Sequence, residues 1–137
     1  MHRKFVSKPC ECGRSNADAL WFWTSGRTPG ESANVKNFLI ENNTINSGRN
    51  AISLCINSVD GLYLINNKLI SDTELKNTNA TPVLITNSRV ALIDGIDFNF
   101  KQSVDAVVTM SGCSANESNI KNITINEGNT SKPYVMY

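Results

Sequence analysis

Residues 34–48 read NVKNFLIENNTINSG, and residues 61–72 read GLYLINNKLISD. In both stretches a short apolar run leads into an Asn-rich turn and then into a second apolar run. The chain contains four related stretches, which begin at Val35, Val59, Arg89 and Ile120, at spacings of 24, 30 and 31 residues. A repeat of about 20 to 30 residues that holds several strands and no helix is typical of a β-solenoid.

Each repeat is preceded by another apolar run, at residues 20–23, 52–56, 83–85 and 107–110. A weaker run follows three of the repeats, at residues 44–45, 68–70 and 97–100. The runs alternate with period 2, so that Leu54 would point to one side of its strand and Cys55 to the other. This pattern predicts coils in which each strand pairs in parallel with the same strand of the next coil.

Asparagine is unusually frequent, at 19 of 137 residues. Asn tolerates the left-handed backbone conformation and bonds its own backbone in turns, which suits the corners of a solenoid. Stacked Asn side chains can also hydrogen-bond along a ladder. A β-sandwich is the competing fold, because Asp60-Gly61 and Asp94-Gly95 are dipeptides of the hairpin type. Both dipeptides fall inside or just after apolar runs of the repeat, so the sequence favours the solenoid.

The predicted fold class is all-β, a single-stranded parallel β-helix of about four to five coils. Residues 16–128 would form the coils, residues 1–15 an N-terminal segment, loop or partial coil, and residues 129–137 a C-terminal tail. Solenoid ends expose unpaired strand edges and need caps, and neither end of this chain contains an amphipathic helix. Four or five coils are also few for a catalytic β-helix. We therefore expect the chain to be the end of a longer protein.

The composition argues against several classes of function. The net charge is +1, whereas a nucleic-acid-binding domain normally carries a basic excess. No apolar run approaches the roughly 18 residues that a membrane span requires. His2 is the only histidine, which argues against a Ser-His-Asp triad, a Cys-His dyad and a His-based zinc site.

No cofactor and no metal are expected. Cys55 and Cys113 lie in apolar runs and are interpreted as small buried hydrophobic residues with reduced thiols. Residues 1–9 contain no apolar signal-peptide core, so the sequence leaves the localisation open. A longer enzyme that carries a signal would be periplasmic or extracellular.

The quoted stretches resemble the right-handed parallel β-helix superfamily, which includes pectate lyases, polygalacturonases, phage tailspikes and several bacterial glycoside hydrolases. The resemblance covers roughly residues 16–128 and implies right-handed coils. Asn16-Ala17-Asp18 is similar to the Asn-Thr-Asp-Gly segment of polygalacturonases, which implies a catalytic role for Asp18. Gly48-Arg49-Asn50 stands where those enzymes have a Gly-Asp-Asp segment, so both carboxylates of that segment are missing. Residues 21–45 are also similar to later coils of bacterial exo-acting α-galactosidases.

A carbohydrate-facing surface is predicted near Trp21, Trp23 and Arg27, because aromatic faces are platforms for sugar rings. Arg27 and the adjoining Glu31 accompany the longest insertion between the strands of one coil, and insertions on solenoids often carry binding. The structural alternative is a turn-capping Asp18 beside two partly buried tryptophans.

Hydrolysis of a glycoside needs two carboxyl groups that flank the scissile bond. Asp94 and Asp97 flank Gly95, and they are interpreted as part of a solvated turn. A lyase would need an acidic cluster for Ca²⁺, and the carboxylates of this chain are scattered.

Three functional hypotheses follow. The first is the C-terminal part of a β-helix glycoside hydrolase that acts on a poly- or oligosaccharide. The second is a non-catalytic carbohydrate-binding β-helix module, which predicts saturable binding without turnover. The third is a structural β-helix of the tailspike kind, which predicts a stable trimer. The first is preferred, and the oligomeric state is left open.

Overall fold

The structure, a computed structural model, describes residues 35–47, 52–71, 81–126 and 129–137 and the backbone of residues 20–23. Eleven strands and one 3-10 turn account for most of these residues. The strands are β1 (Leu20–Trp23), β2 (Val35–Glu41), β3 (Thr44–Asn46), β4 (Leu54–Asn57), β5 (Val59–Ser71), β6 (Val83–Thr86), β7 (Arg89–Phe100), β8 (Ala106–Ser111), β9 (Ser114–Ala115), β10 (Ile120–Ile125) and β11 (Lys132–Met136). The 3-10 turn spans Glu117–Asn119.

The strands form two parallel sheets whose order shows that the chain winds as a solenoid. The five-stranded sheet has the order β1-β4-β6-β8-β11. The six-stranded sheet has the order β10-β7-β5-β2, with β3 paired to β5 and β9 paired to β7. Along the chain, each strand of the five-stranded sheet is followed by one or two strands of the six-stranded sheet, until the chain ends with β11. Each return to the five-stranded sheet therefore begins the next layer. The prediction of a parallel β-solenoid is confirmed, although the described residues form about three turns rather than the four to five coils predicted.

The apolar runs predicted for the repeats correspond to observed strands. The preceding runs are β1, β4, β6 and β8 of the five-stranded sheet. The weaker third run begins with Thr44, Lys68 and Asp97, which lie opposite one another in successive layers. The segment predicted as a C-terminal tail contains β11, which pairs with β8.

The predicted alignment of the repeats is correct at one end and wrong at the other. Val35 lies opposite Val59 as predicted, but Arg89 lies opposite Asp60 and Ser114 rather than Val59 and Ile120. Ile120 instead lies opposite Ile93. The predicted alignment equated Asn37 with Asn122, whereas Asn37 lies in the corner row of Gly61 and Asn122 lies in that of Gly95.

Apolar rows from both sheets fill the interior. Ile56, Ile85 and Met110 stack in register in the five-stranded sheet and are fully buried. Leu64 and Ile93 do the same in the six-stranded sheet, and both rows belong to one core cluster. All four residues of β4 are buried, but only Leu54 and Ile56 belong to the core cluster.

Residues with positive φ mark the corners of the coils. The described residues contain nine of them, in three rows: Ser58, Asn87 and Gly112; Asn37 and Gly61; and Asn42, Asn66, Gly95 and Asn122. Members of a row follow one another from coil to coil, as the registers of the flanking strands show. Asn and Gly tolerate this conformation better than other residues. The high Asn content therefore does place corners, as predicted.

The Asp-Gly dipeptides do not form hairpins. Gly61 lies inside β5 and Gly95 inside β7, at φ values of 93° and 92°. Each glycine bends its strand around a corner while the pairing stays parallel on both sides of the corner.

Candidate functional site

A groove runs along the corner row that contains Gly95, on the outside of the six-stranded sheet. We call it the corner groove; its volume is about 280 Å³. It is lined by Asn66, Asn67, Lys68, Gly95, Ile96, Asp97, Asn122 and Thr124. These residues come from β5, β7 and β10, so three successive layers contribute.

Backbone conformation at the corner creates this groove. Asn66 and Asn122 have φ values of 52° and 57°, and Gly95 lies between them in the row. A Cβ on Gly95 would lie 2.5 Å from Asn66 Oδ1 and 3.2 Å from the Asn66 backbone nitrogen. The missing side chain thus gives the amide of Asn66 room against the next coil.

Five exposed side chains of the groove can bond to a ligand. They are Asn66, Lys68, Asp97, Asn122 and Thr124. Adjacent layers of a sheet are about 4.8 Å apart, so these groups form an ordered set of amide, ammonium, carboxylate and hydroxyl groups. Lys68 is the cation and Asp97 the anion of this lining, so its net charge is zero.

Neighbouring side chains orient two of these groups. Asp97 Oδ1 accepts a hydrogen bond of 2.8 Å from Asn99 Nδ2. Asn122 Nδ2 donates a bond of 2.8 Å to Asp94 Oδ1 in the layer below. The Asn122 amide oxygen and the second oxygen of Asp97 are acceptors that these two bonds do not use.

Asn67 also lines the groove, but its role is structural. It is 3% exposed. Its Nδ2 donates to the Ile40 carbonyl at 3.0 Å, and its Oδ1 accepts from the backbone and side-chain nitrogens of Asn43 at 3.2 and 3.3 Å. This two-residue ladder of buried amides is the stacking that the Asn content predicted, and Ile96 takes the same position in the next layer.

A second, wider depression lies at the other end of β7, with a volume of about 380 Å³. Its lining includes Arg89, Ser114, Asn116 and Asn119. Arg89 Nε donates to Asp60 Oδ1 at 2.5 Å across the layers. Asn116 Oδ1 accepts from the backbone nitrogen and the hydroxyl of Ser118. The side chains of Arg89 and Asn116 therefore already have hydrogen-bond partners within the protein.

Most residues of the predicted carbohydrate surface lie outside the described residues, namely Asp18, Arg27 and Glu31. Trp21 and Trp23 belong to β1, where they pair with Cys55 and Asn57 of β4. The backbones of these two tryptophans therefore lie in the five-stranded sheet, whereas the corner groove is on the six-stranded one. The roles of these five residues stay predictions.

The two described cysteines are free. Cys55 is buried, and burial raises the pKa of its thiol. The pKa of Cys113 is also raised by burial, although hydrogen bonds with the backbone of Ser88 and Ser111 lower it in part. Both thiols are therefore neutral near pH 7 and weakly nucleophilic. Cys55 agrees with its interpretation as a buried hydrophobic residue, whereas Cys113 is only partly buried.

Two geometric findings concern only the part of the chain that the structure describes. No three His, Cys, Asp or Glu side chains there converge in a way that could hold a metal ion. No helix among those residues has the length and apolar character needed to cross a bilayer.

In the sequence, Asp97 was interpreted only as part of a turn, and neither Asn66 nor Asn122 was a predicted site residue. A usable signal was present for two of these corners, because Asn42 and Asn66 each lie seven residues after the start of their repeat, at Val35 and Val59. Polar residues two positions after such a corner, here Lys68, Asp97 and Thr124, must share one outer row.

A scan against protein-family models found no match, and searches of the curated proteins and of the solved structures found no significant similarity.

Proposed function

We propose that the protein is a carbohydrate-binding β-solenoid module and that the corner groove binds a neutral oligosaccharide. The supporting observation is the row of five exposed hydrogen-bonding side chains that three successive layers hold in one groove. Amide and carboxylate groups bond well to neighbouring hydroxyls of a sugar, and the neutral net charge of the lining suits an uncharged ligand better than a polyanion.

Glycoside hydrolysis is the second candidate, and it carries over from the resemblance of the sequence to β-helix enzymes. Asp97 is the single carboxylate among the described residues that line the groove. Hydrolysis would require a second carboxyl group about 5 to 9.5 Å away. We therefore rank binding above turnover, with Asp18 as the predicted catalytic residue if turnover occurs.

The test is a titration of the ¹⁵N-labelled protein with a panel of neutral and uronate-containing oligosaccharides, followed by NMR. We expect saturable shifts at the amides of residues 66–68, 95–97 and 122–124 with a neutral ligand. The Asp97→Asn variant keeps the shape of the side chain and removes its charge, and it should raise the Kd about tenfold, because hydrogen bonds to charged groups contribute roughly 1.5 to 3 kcal/mol.

Asp105→Asn is the matched control, because Asp105 is an exposed carboxylate outside the groove. It should leave the Kd unchanged. Binding that Trp23→Ala abolishes and Asp97→Asn leaves intact would place the ligand at the predicted surface instead. Release of reducing ends that Asp18→Asn or Asp97→Asn abolishes would favour the hydrolase. Absence of any saturable shift across the panel would contradict the proposal.

A further inference from the structure

The last layer of the solenoid has open edges. β10 ends the order of the six-stranded sheet and β11 that of the five-stranded sheet, so each has one strand partner within the described ranges. The outer backbone groups of such edge strands are a template for pairing with another strand. β11 contains Pro133, which removes one of its donors. The uninterrupted edge is therefore that of β10.

The apolar core reaches the outer surface of this layer. Of the six partly buried hydrophobic residues that pack against the core, five belong to the last coil: Cys113, Ala115, Ile123, Ile125 and Tyr134. Ile123 lies over Ile96 and Ile125 over Phe98, so both continue rows that are fully buried one layer below. Met136 and Tyr137, at 36% and 81% exposed, are the large hydrophobic residues that the described chain exposes most.

The charges of this edge disfavour symmetric pairing with itself. Lys121 on β10 and Lys132 on β11 are exposed, and neither strand contains an acidic residue. A two-fold contact of this edge with its own copy would bring like charges together, which is unfavourable at an interface.

The opposite edge of the six-stranded sheet fits β10 in register and in charge. There β2 has β5 as its neighbour in the sheet, among the residues that the structure describes. Glu41, Ile65, Asp94 and Lys121 form one row from layer to layer. If the β2 edge of a second copy continued this row on β10, its Glu41 would lie beside Lys121. In the same register, Ile40 and Ile45 of the second copy would lie beside Ile120 and Ile125 of the first.

We propose that the β10 edge docks the β2 edge of a second copy of this chain, so that one solenoid continues into the next. Pairing of strand edges between chains is a common recognition mode. Because the two surfaces differ, the contact is heterologous and does not close, and copies add end to end. This proposal does not depend on what the corner groove binds.

Sedimentation velocity and light scattering over a wide range of protein concentration test the proposal. We expect the average mass to rise steadily above the 15.0 kDa of the monomer, without a plateau at two copies. Lys121→Glu and Glu41→Lys should each raise the apparent Kd about tenfold, because each puts like charges face to face. Circular dichroism of each variant verifies that it is folded.

A mixture of the two variants distinguishes this contact from others. Lys121→Glu and Glu41→Lys copies carry complementary edges toward each other and repulsive edges toward themselves, so an equimolar mixture should recover association. Lys101→Glu is the control, because it makes the same charge reversal in an exposed turn away from both edges, and it should behave as the parent. A monomer at every concentration, a fixed dimer or trimer, or a mixture that stays dissociated would overturn the proposal.

Discussion

A single backbone angle determines where each coil turns. All nine described residues with positive φ lie in three vertical rows, and only Asn, Ser and Gly occupy them. In three pairs a Gly lies one layer above an Asn, and a Cβ on that Gly would lie 2.5 to 2.9 Å from the Asn amide oxygen. The pairs are Asn37 with Gly61, Asn66 with Gly95, and Asn87 with Gly112. Conformation and space thus both favour glycine at these three positions.

We predict that Gly95→Ala lowers the free energy of unfolding by about 1 to 3 kcal/mol, the range for a residue held in an unfavourable backbone region. The alanine would have to adopt a φ near 92° and its Cβ would press on Asn66 Oδ1. Urea denaturation measures the change. In an Asn66→Gly background the contact with Asn66 Oδ1 is absent, so Gly95→Ala should lower the free energy of unfolding by a smaller amount. Equal losses in the two backgrounds would show that the contact with Asn66 contributes nothing.

At the scale of strands, buried amides replace hydrophobic contacts in the first two layers. The Asn43–Asn67 ladder satisfies the Ile40 carbonyl and the Asn43 backbone nitrogen between β2, β3 and β5. The next two layers have Ile96 and Ile123 at the same positions. Hydrogen bonds of this amide pair therefore connect the corner of the first coil to that of the second.

We predict that Asn67→Ala destabilises the protein by about 1 to 3 kcal/mol, because the backbone nitrogen of Asn43 loses the buried acceptor that Asn67 Oδ1 provides. Asn99→Ala is the comparison, since the amide of Asn99 bonds only at the exposed surface, and its effect should stay within about 0.5 kcal/mol. Both values come from urea or thermal unfolding. Similar losses for the two variants would refute a special contribution of the buried ladder.

The strands were predictable from sequence because apolar alternation and Asn turns are local signals. Runs such as Val35–Glu41 and Val83–Thr86 were recognisable without any knowledge of their partners. The register of β10 was not, because the apolar pattern around Asn122 resembles that around Asn37, although the two residues belong to different corner rows. The corner groove was missed for a related reason. Lys68, Asp97 and Thr124 become neighbours only when the layers are aligned.

At the scale of the whole molecule, each coil contacts only its neighbours, so stability is a sum over layers and the junctions between them. The central strands β5 and β7 have partners on both sides, whereas β10 has a partner on one. We predict that amide hydrogen exchange is slowest in β5 and β7 and fastest in β10 and β11. Measurement should be made at low protein concentration, where copies are separate. Equal protection of β10 and β5 under those conditions would contradict layer-by-layer stability.

The 3-10 turn at Glu117–Asn119 has a consequence for how such a chain can change over time. It lengthens the last coil by two residues, yet Ile120 resumes pairing with Ile93 and the later strand β11 still pairs with β8. Insertions at this corner are thus absorbed where they occur and do not propagate through the stack. A lineage could vary the length of this loop, and an engineer could graft a foreign peptide into it, while every other layer keeps its place.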